Sequence, residues 1–161
     1  MSRFIAAADE SVSGDGSGEF YFRGFIAPER DWSEYFEPAW RERVLETNPK
    51  LAYLHMAEIK SSKWRSENGI NEIEADRKIG EAFRVIRSQG SLYPLVAHLN
   101  ADHFRAAIEK ANVRMNIRTP GGIARTRFDP DYLCFTRVAL SALLYVRDTQ
   151  VDAEKVDFMI E

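Results

Sequence analysis

The sequence predicts an α/β fold: a mixed sheet flanked by helices. Three observations carry that expectation. Apolar runs of strand length stand at the start of the chain, in its middle (Leu92–Leu99) and at its end (Val156-Asp157-Phe158-Met159-Ile160). Between them lie longer stretches whose apolar residues recur at helical spacing. Two helix-start signatures, Asn71 with Glu74 and Asp129-Pro130, mark where such stretches begin. Strands interleaved with long helices form a sheet covered by those helices. At 161 residues, the chain is expected to be a single domain spanning residues 1–161.

Residues 3–9 read as the first strand, mostly apolar and therefore central. Residues 12–19 are a turn carrying Gly14, Gly16 and Gly18, suited to a hairpin. No helix follows this turn, so it is not a dinucleotide-binding loop. Phe20–Ala27 is the second strand, stopped by Pro28. Asp31 then reads as an N-cap, with Glu34 completing a capping box. Trp32, Phe36, Trp40 and Val44 follow at four-residue steps and form one apolar stripe. Pro38 inside that stripe predicts a kink or a split.

Leu51–Ile59 is a short strand-like segment, and residues 60–70 a polar loop around Trp64 and Gly69. The Asn71 helix is expected to place Ile73, Ile79, Phe83 and Ile86 on one face and to end at Gly90. After the strand Leu92–Leu99, Asn100 or Asp102 caps a helix to about residue 112. Residues 113–128 read as irregular, with a Thr-Pro-Gly-Gly turn at 119–122. Pro130 opens a helix to about residue 147. Lys155–Ile160 is the last strand. A largely apolar strand wants cover on both faces, so the chain is expected to be a fragment, truncated before a C-terminal helix.

Net charge is −3 and the pI about 5.7, which argues against coating nucleic acid by bulk charge while leaving room for a local basic patch. The single cysteine, Cys134, excludes an internal disulfide and fits a reducing compartment. The hydrophobic run after Met1 is too short for the core of a secretory signal, and no stretch is long enough to span a membrane. A cytoplasmic protein is the expectation.

Four groups of residues can carry chemistry. Asp9 and Glu10 end the first strand, and Glu161 ends the last. If those strands are parallel neighbours, their carboxylates meet at one end of the sheet, where hard oxygens hold Mg²⁺ or Mn²⁺. Asp9 and Glu10 read equally as a strand end. His55 and Glu58, three apart, share a face on a helix but not on a strand. As an acid/base or metal pair the signal is weak. His98 and His103 flank Asp102 at a strand-to-helix junction, where capping accounts for them. Finally, Lys110, Arg114, Arg118, Arg125 and Arg127 fall between residues 110 and 128 without one acid. Arginine forks match phosphate geometry, so this segment is a candidate nucleic-acid contact; a solvated loop reads the same way. Cys134, within an apolar helix, reads as a small core residue.

Asp9-Glu10-Ser11, Gly24-Phe25-Ile26, Trp32 with Trp40, His55-Met56-Ala57-Glu58, Asp129 to Phe135 and Val156-Asp157-Phe158 follow one another in order. This series resembles the large bacterial family of unknown function whose members begin with a strand ending Asp-Glu-Ser. The resemblance covers residues 3–161. It implies a ribonuclease H-like fold, with Asp9 on the first strand and Glu161 at the end of a later one. Val12 stands where the family often has glycine, and Glu161 where it usually has aspartate. The family continues into a helix bearing an Ala-Asp pair, whose acid completes the metal site in ribonuclease H-like nucleases; this sequence ends before it.

The expected function is therefore a metal-dependent nuclease or related phosphoryl-transfer enzyme using Mg²⁺ or Mn²⁺. Asp9 and Glu161 would be metal ligands, Glu10 a further acid, and His55 with Glu58 accessory acid/base groups. Arg114, Arg118, Arg125 and Arg127 would hold nucleic-acid phosphate. The alternatives are a non-catalytic module binding nucleic acid or protein on the same fold, and an interaction domain using the tryptophans Trp32, Trp40 and Trp64.

Overall fold

A computed structural model of the chain describes residues 2–12, 18–111, 115–119, 122–126, 130–149 and 153–160. The backbone divides into two compact units. One is built from residues 1–26 and 93–161, the other from residues 27–92.

The first unit is α/β, with a four-stranded mixed sheet in the order β3-β2-β1-β6. Its strands are β1 (Ser2–Val12), β2 (Glu19–Pro28), β3 (Tyr93–Asn100) and β6 (Ala153–Ile160). β2 and β3 are antiparallel, from Glu19↔Asn100 to Ile26↔Tyr93. β1 and β6 are parallel, from Phe4↔Val156 to Ala8↔Ile160.

Alternation along each strand sends Phe4 and Ala6, Phe20, Phe22 and Ile26, and Leu95 and Ala97 to one face. There they meet Cys134, Val138, Ala142 and Val146, the four-residue stripe of helix α7 (Pro130–Thr149). Phe135 fills the gap between Phe22 and Phe158, with ring centroids 6.2 and 5.9 Å away. Burying each of the larger side chains contributes about 1.5–3 kcal/mol. Cys134 is thus a core residue, as the sequence indicates.

Helix α6 (Ala101–Ala111) is capped by Asn100, whose Oδ1 accepts the His103 N–H at 2.9 Å. Residues 113–128 are not irregular throughout. They contain two antiparallel strands, β4 (Met115–Thr119) and β5 (Gly122–Thr126), paired from Met115↔Thr126 to Thr119↔Gly122. β-branched residues at 117, 119, 123 and 126 favour that ladder over a loop.

The second unit is helical. Its first run joins α1 (Glu29–Asp31), a π-helical turn (Trp32–Phe36), α2 (Glu37–Trp40) and a second π-helical turn (Arg41–Leu45). Pro38 splits the bonding pattern without ending the helix. It sits in the first turn of α2, after a stretch bonded i→i−5, where its missing N–H costs least. Asp31 is helical rather than a cap and makes no side-chain cap bond; Glu34 pairs with Arg30 instead of closing a capping box.

The expected strand at 51–59 is absent, because the chain turns into α3 (Met56–Lys60) directly after His55. The expected loop at 60–70 holds α4 (Ser62–Glu67), capped by Ser61 through the Trp64 N–H. Helix α5 (Glu72–Ser88) begins with the predicted Asn71/Glu74 capping box. Its buried face is Ala75, Lys78, Ala82 and Val85, not the expected isoleucine and phenylalanine face; Ile73 is 81% exposed and Phe83 51%.

Lys78 is the buried charge among the described residues. Its ammonium donates to the Val44 carbonyl, and to the Thr47 carbonyl and hydroxyl at 2.7 Å each. It thereby satisfies carbonyls at the end of the second π turn. No helix among the described residues is long and apolar enough to cross a membrane.

Candidate functional site

β1 positions the first candidates. Phe4, Ala6 and Ala8 turn towards α7, so Arg3, Ile5, Ala7 and Asp9 turn to the opposite face. Asp9 and Glu10, as consecutive strand residues, leave the backbone on opposite sides, and both are exposed. Among the described residues neither carboxylate takes part in an ion pair. Parallel pairing sets Ala8 beside Ile160, the last residue of β6, and β1 runs on past Asp9 to Val12 rather than ending there. Glu161 lies outside the described residues, as do Arg114 and Arg127.

A second acid on the same face, Asp157, is already engaged. Lys155 holds it at 2.9 Å and Arg3 pairs with it as well, and these hydrogen bonds keep its carboxyl below the usual aspartate range. This arrangement locks β6 to β1, whereas Asp9 is in no ion pair among the described residues.

The face that carries Asp9 also carries a cluster that periodicity does not reveal. Pairing of Tyr21 with His98 stacks the two rings, with centroids 4.4 Å apart and planes 14° from parallel. The Arg23 guanidinium carbon lies 4.1 Å from the Tyr21 centroid. Two groups this close cannot share one face of the ring, so Tyr21 is sandwiched between imidazole and guanidinium. His98 Nε2 donates to Glu19, since a carboxylate only accepts. Asn100 Nδ2 donates to the other Glu19 oxygen at 3.0 Å. The Asn100 and His98 hydrogen bonds hold the Glu19 carboxyl below its ordinary value. With its proton on Nε2, a neutral His98 presents Nδ1 as acceptor. The signal for this cluster was the pairing of two strands more than sixty residues apart in sequence, which no local pattern reports.

His55 and Glu58 belong to the second unit. His55 is extended (φ −110°, ψ 122°) at the cap position of α3 and makes no side-chain cap hydrogen bond. Glu58 accepts a hydrogen bond from the Tyr53 hydroxyl, which its charge pushes up in pKa. Its Oε2 is buried and has no hydrogen-bond partner among the described residues.

Arg118 and Arg125 sit on β4 and β5. Register pairs Arg118 with Ile123 and Asn116 with Arg125, placing both arginine positions on one face of the ladder.

The donor chemistry at Asp9 fits a hard divalent cation, which takes carboxylate oxygens. Among the described residues Asp9 supplies one such ligand, and no three His, Cys, Asp or Glu side chains converge on a point. In comparisons with known proteins, the chain matches no family model, no curated protein and no solved structure.

Proposed function

We propose that the chain is a ribonuclease H-like, metal-dependent nuclease or related phosphoryl-transfer enzyme, with Asp9 as the principal ligand of Mg²⁺ or Mn²⁺. The observation that carries this reading is the parallel pairing of β1 and β6, which sets Ala8, the residue before Asp9, beside Ile160, the last residue of β6. In open sheets, ligands bind beyond the carboxyl ends of strands. The mixed sheet agrees with the fold that the Asp-Glu-Ser resemblance implies. A bound divalent cation would supply an activated water and neutralise charge on a phosphodiester.

The chain's own residues have separate tasks. Asp9 holds the ion with a carboxylate that is in no ion pair among the described residues. Glu161 is the second carboxylate of the proposal, with Glu10 as a further acid of β1. Arg114, Arg118, Arg125 and Arg127 receive nucleic-acid phosphate.

Cleavage of single-stranded DNA and RNA by the chain, with and without Mn²⁺, tests the proposal. Mn²⁺-dependent cleavage that disappears in Asp9→Asn, with melting unchanged, is the expected result. Absence of cleavage by the wild type, or equal cleavage by the variant, contradicts it.

A second reading, a non-catalytic nucleic-acid-binding module on the same fold, is favoured by the shared face of Arg118 and Arg125. It predicts binding without cleavage.

A further inference from the structure

β3 is an edge strand: among the described residues β2 is its sole strand neighbour. Alternate residues along it therefore turn their backbone N–H and C=O groups away from the sheet. A pocket of about 360 Å³ opens at this edge. One wall is Val96–Leu99 of β3; the other is Leu133, Cys134 and Arg137 of α7. The lining is mainly apolar, and two of its residues, Val96 and Leu133, are 57% and 41% exposed. Among the described residues that line it there is no acid. Arg137 lies one helical turn beyond Leu133, is exposed, and is in no ion pair among the described residues.

Three chemistries thus meet within one pocket: an edge row of backbone groups with no strand neighbour among the described residues, an apolar recess, and a cation with no ion-pair partner among those residues. An extended peptide satisfies all three. Its backbone pairs with the edge, an aliphatic side chain fills the recess, and a carboxylate meets the guanidinium. A second copy of this chain does so poorly. Self-pairing of β3 about a two-fold axis would bring two such linings together, each with Arg137 and neither with an acid among its described residues.

We propose that the β3 edge is a docking site for an extended, acid-bearing peptide segment of a partner protein, added as a further strand beside Val96–Leu99 and anchored by Arg137. Backbone pairing supplies affinity, and the recess with its arginine supplies selectivity. The proposal stands independently of any metal-dependent activity.

The test is a random dodecapeptide phage library panned against the immobilised chain, followed by fluorescence anisotropy with the enriched peptide made synthetically. Enriched sequences should alternate aliphatic residues and carry an acid. Arg137→Glu, an exposed change that leaves melting unaltered, should weaken binding by about tenfold or more. Methylating the peptide's backbone nitrogens along one edge should abolish binding, while methylating those of the other edge should be tolerated. Failure to enrich any sequence, binding indifferent to Arg137→Glu, or equal tolerance of both methylation patterns overturns the proposal. So does a dimer in sedimentation that Val96→Lys dissociates, because the edge would then be closed by a second copy.

Discussion

Gly24 of β2 lies against Ala8 of β1 with no space for a side chain: a Cβ at position 24 would stand 2.6 Å from both the Cα and the Cβ of Ala8. The obstacle is backbone and a methyl group, neither of which can swing aside. This close approach sets the spacing of the two strands one residue before Asp9. Gly24→Ala should therefore cost about 2–3 kcal/mol, near the upper end for overpacking. The melting midpoint should fall by roughly 5–10 °C in a chain of this size. Calorimetry reads the effect directly, and an unchanged midpoint would mean that β1 and β2 are not held this tightly.

Lys78 offers a prediction in the second unit. Lys78→Met leaves the Val44 carbonyl and the two Thr47 oxygens without their donor, at a cost of about 1–3 kcal/mol. Burial, with a contribution from Arg77, holds the Lys78 pKa below its ordinary 10.5. Between the lowered value and 10.5 the unfolded chain keeps a proton that the folded chain has released, so stability from this group rises with pH there. Urea titrations across the alkaline range should show that rise in the wild type and a flatter profile in Lys78→Met. Parallel profiles would remove the assignment.

The Glu19 carboxyl is held below its ordinary 4.5 by Asn100 and His98. Its contribution is present above 4.5 and is lost as pH falls through the lowered folded value. Glu19→Gln should accordingly melt below the wild type at pH 7, with the gap closing below pH 4.5. A gap that widens in acid would show that the Glu19–His98 contact is not what stabilises this face.

Arg118 and Arg125, on one face of the β4–β5 ladder, should act together on a polyanion. If the chain binds nucleic acid, replacing both with alanine should lower the salt dependence of binding by roughly 0.7–0.9 per lost phosphate contact. Affinity measured at several salt concentrations decides it; an unaltered slope would place the contact elsewhere.

The four strands of the mixed sheet and the two strongest helix starts were legible because their signals are local; β4 and β5 were not. Apolar runs mark β1 and β2, and the Asn71/Glu74 box forms as read. What failed was decided by tertiary context. The isoleucine stripe of α5 lost to a face of smaller residues with Lys78, because the lysine finds carbonyl partners on a segment more than thirty residues away. Asp31 was a plausible cap, yet the helix starts immediately after Pro28, before Asp31. α4 was hidden in a polar segment whose helix depends on Ser61 capping and on Trp64 packing near Ile59 and Ile70. At the site, Asp9 stood out as an acid ending an apolar run. Glu19, Tyr21 and Arg23 did not, since their cluster exists only once β2 pairs with β3.

Asp9 is proposed to hold a divalent cation beside the last residue of β6. Thermal melting with and without millimolar Mn²⁺ tests it most directly, because an ion bound by the native state raises stability by mass action. The wild-type midpoint should rise by roughly 3 °C, and the rise should vanish in Asp9→Asn. A wild type that melts at the same temperature in metal and in chelator, or an equal rise in the variant, contradicts the claim.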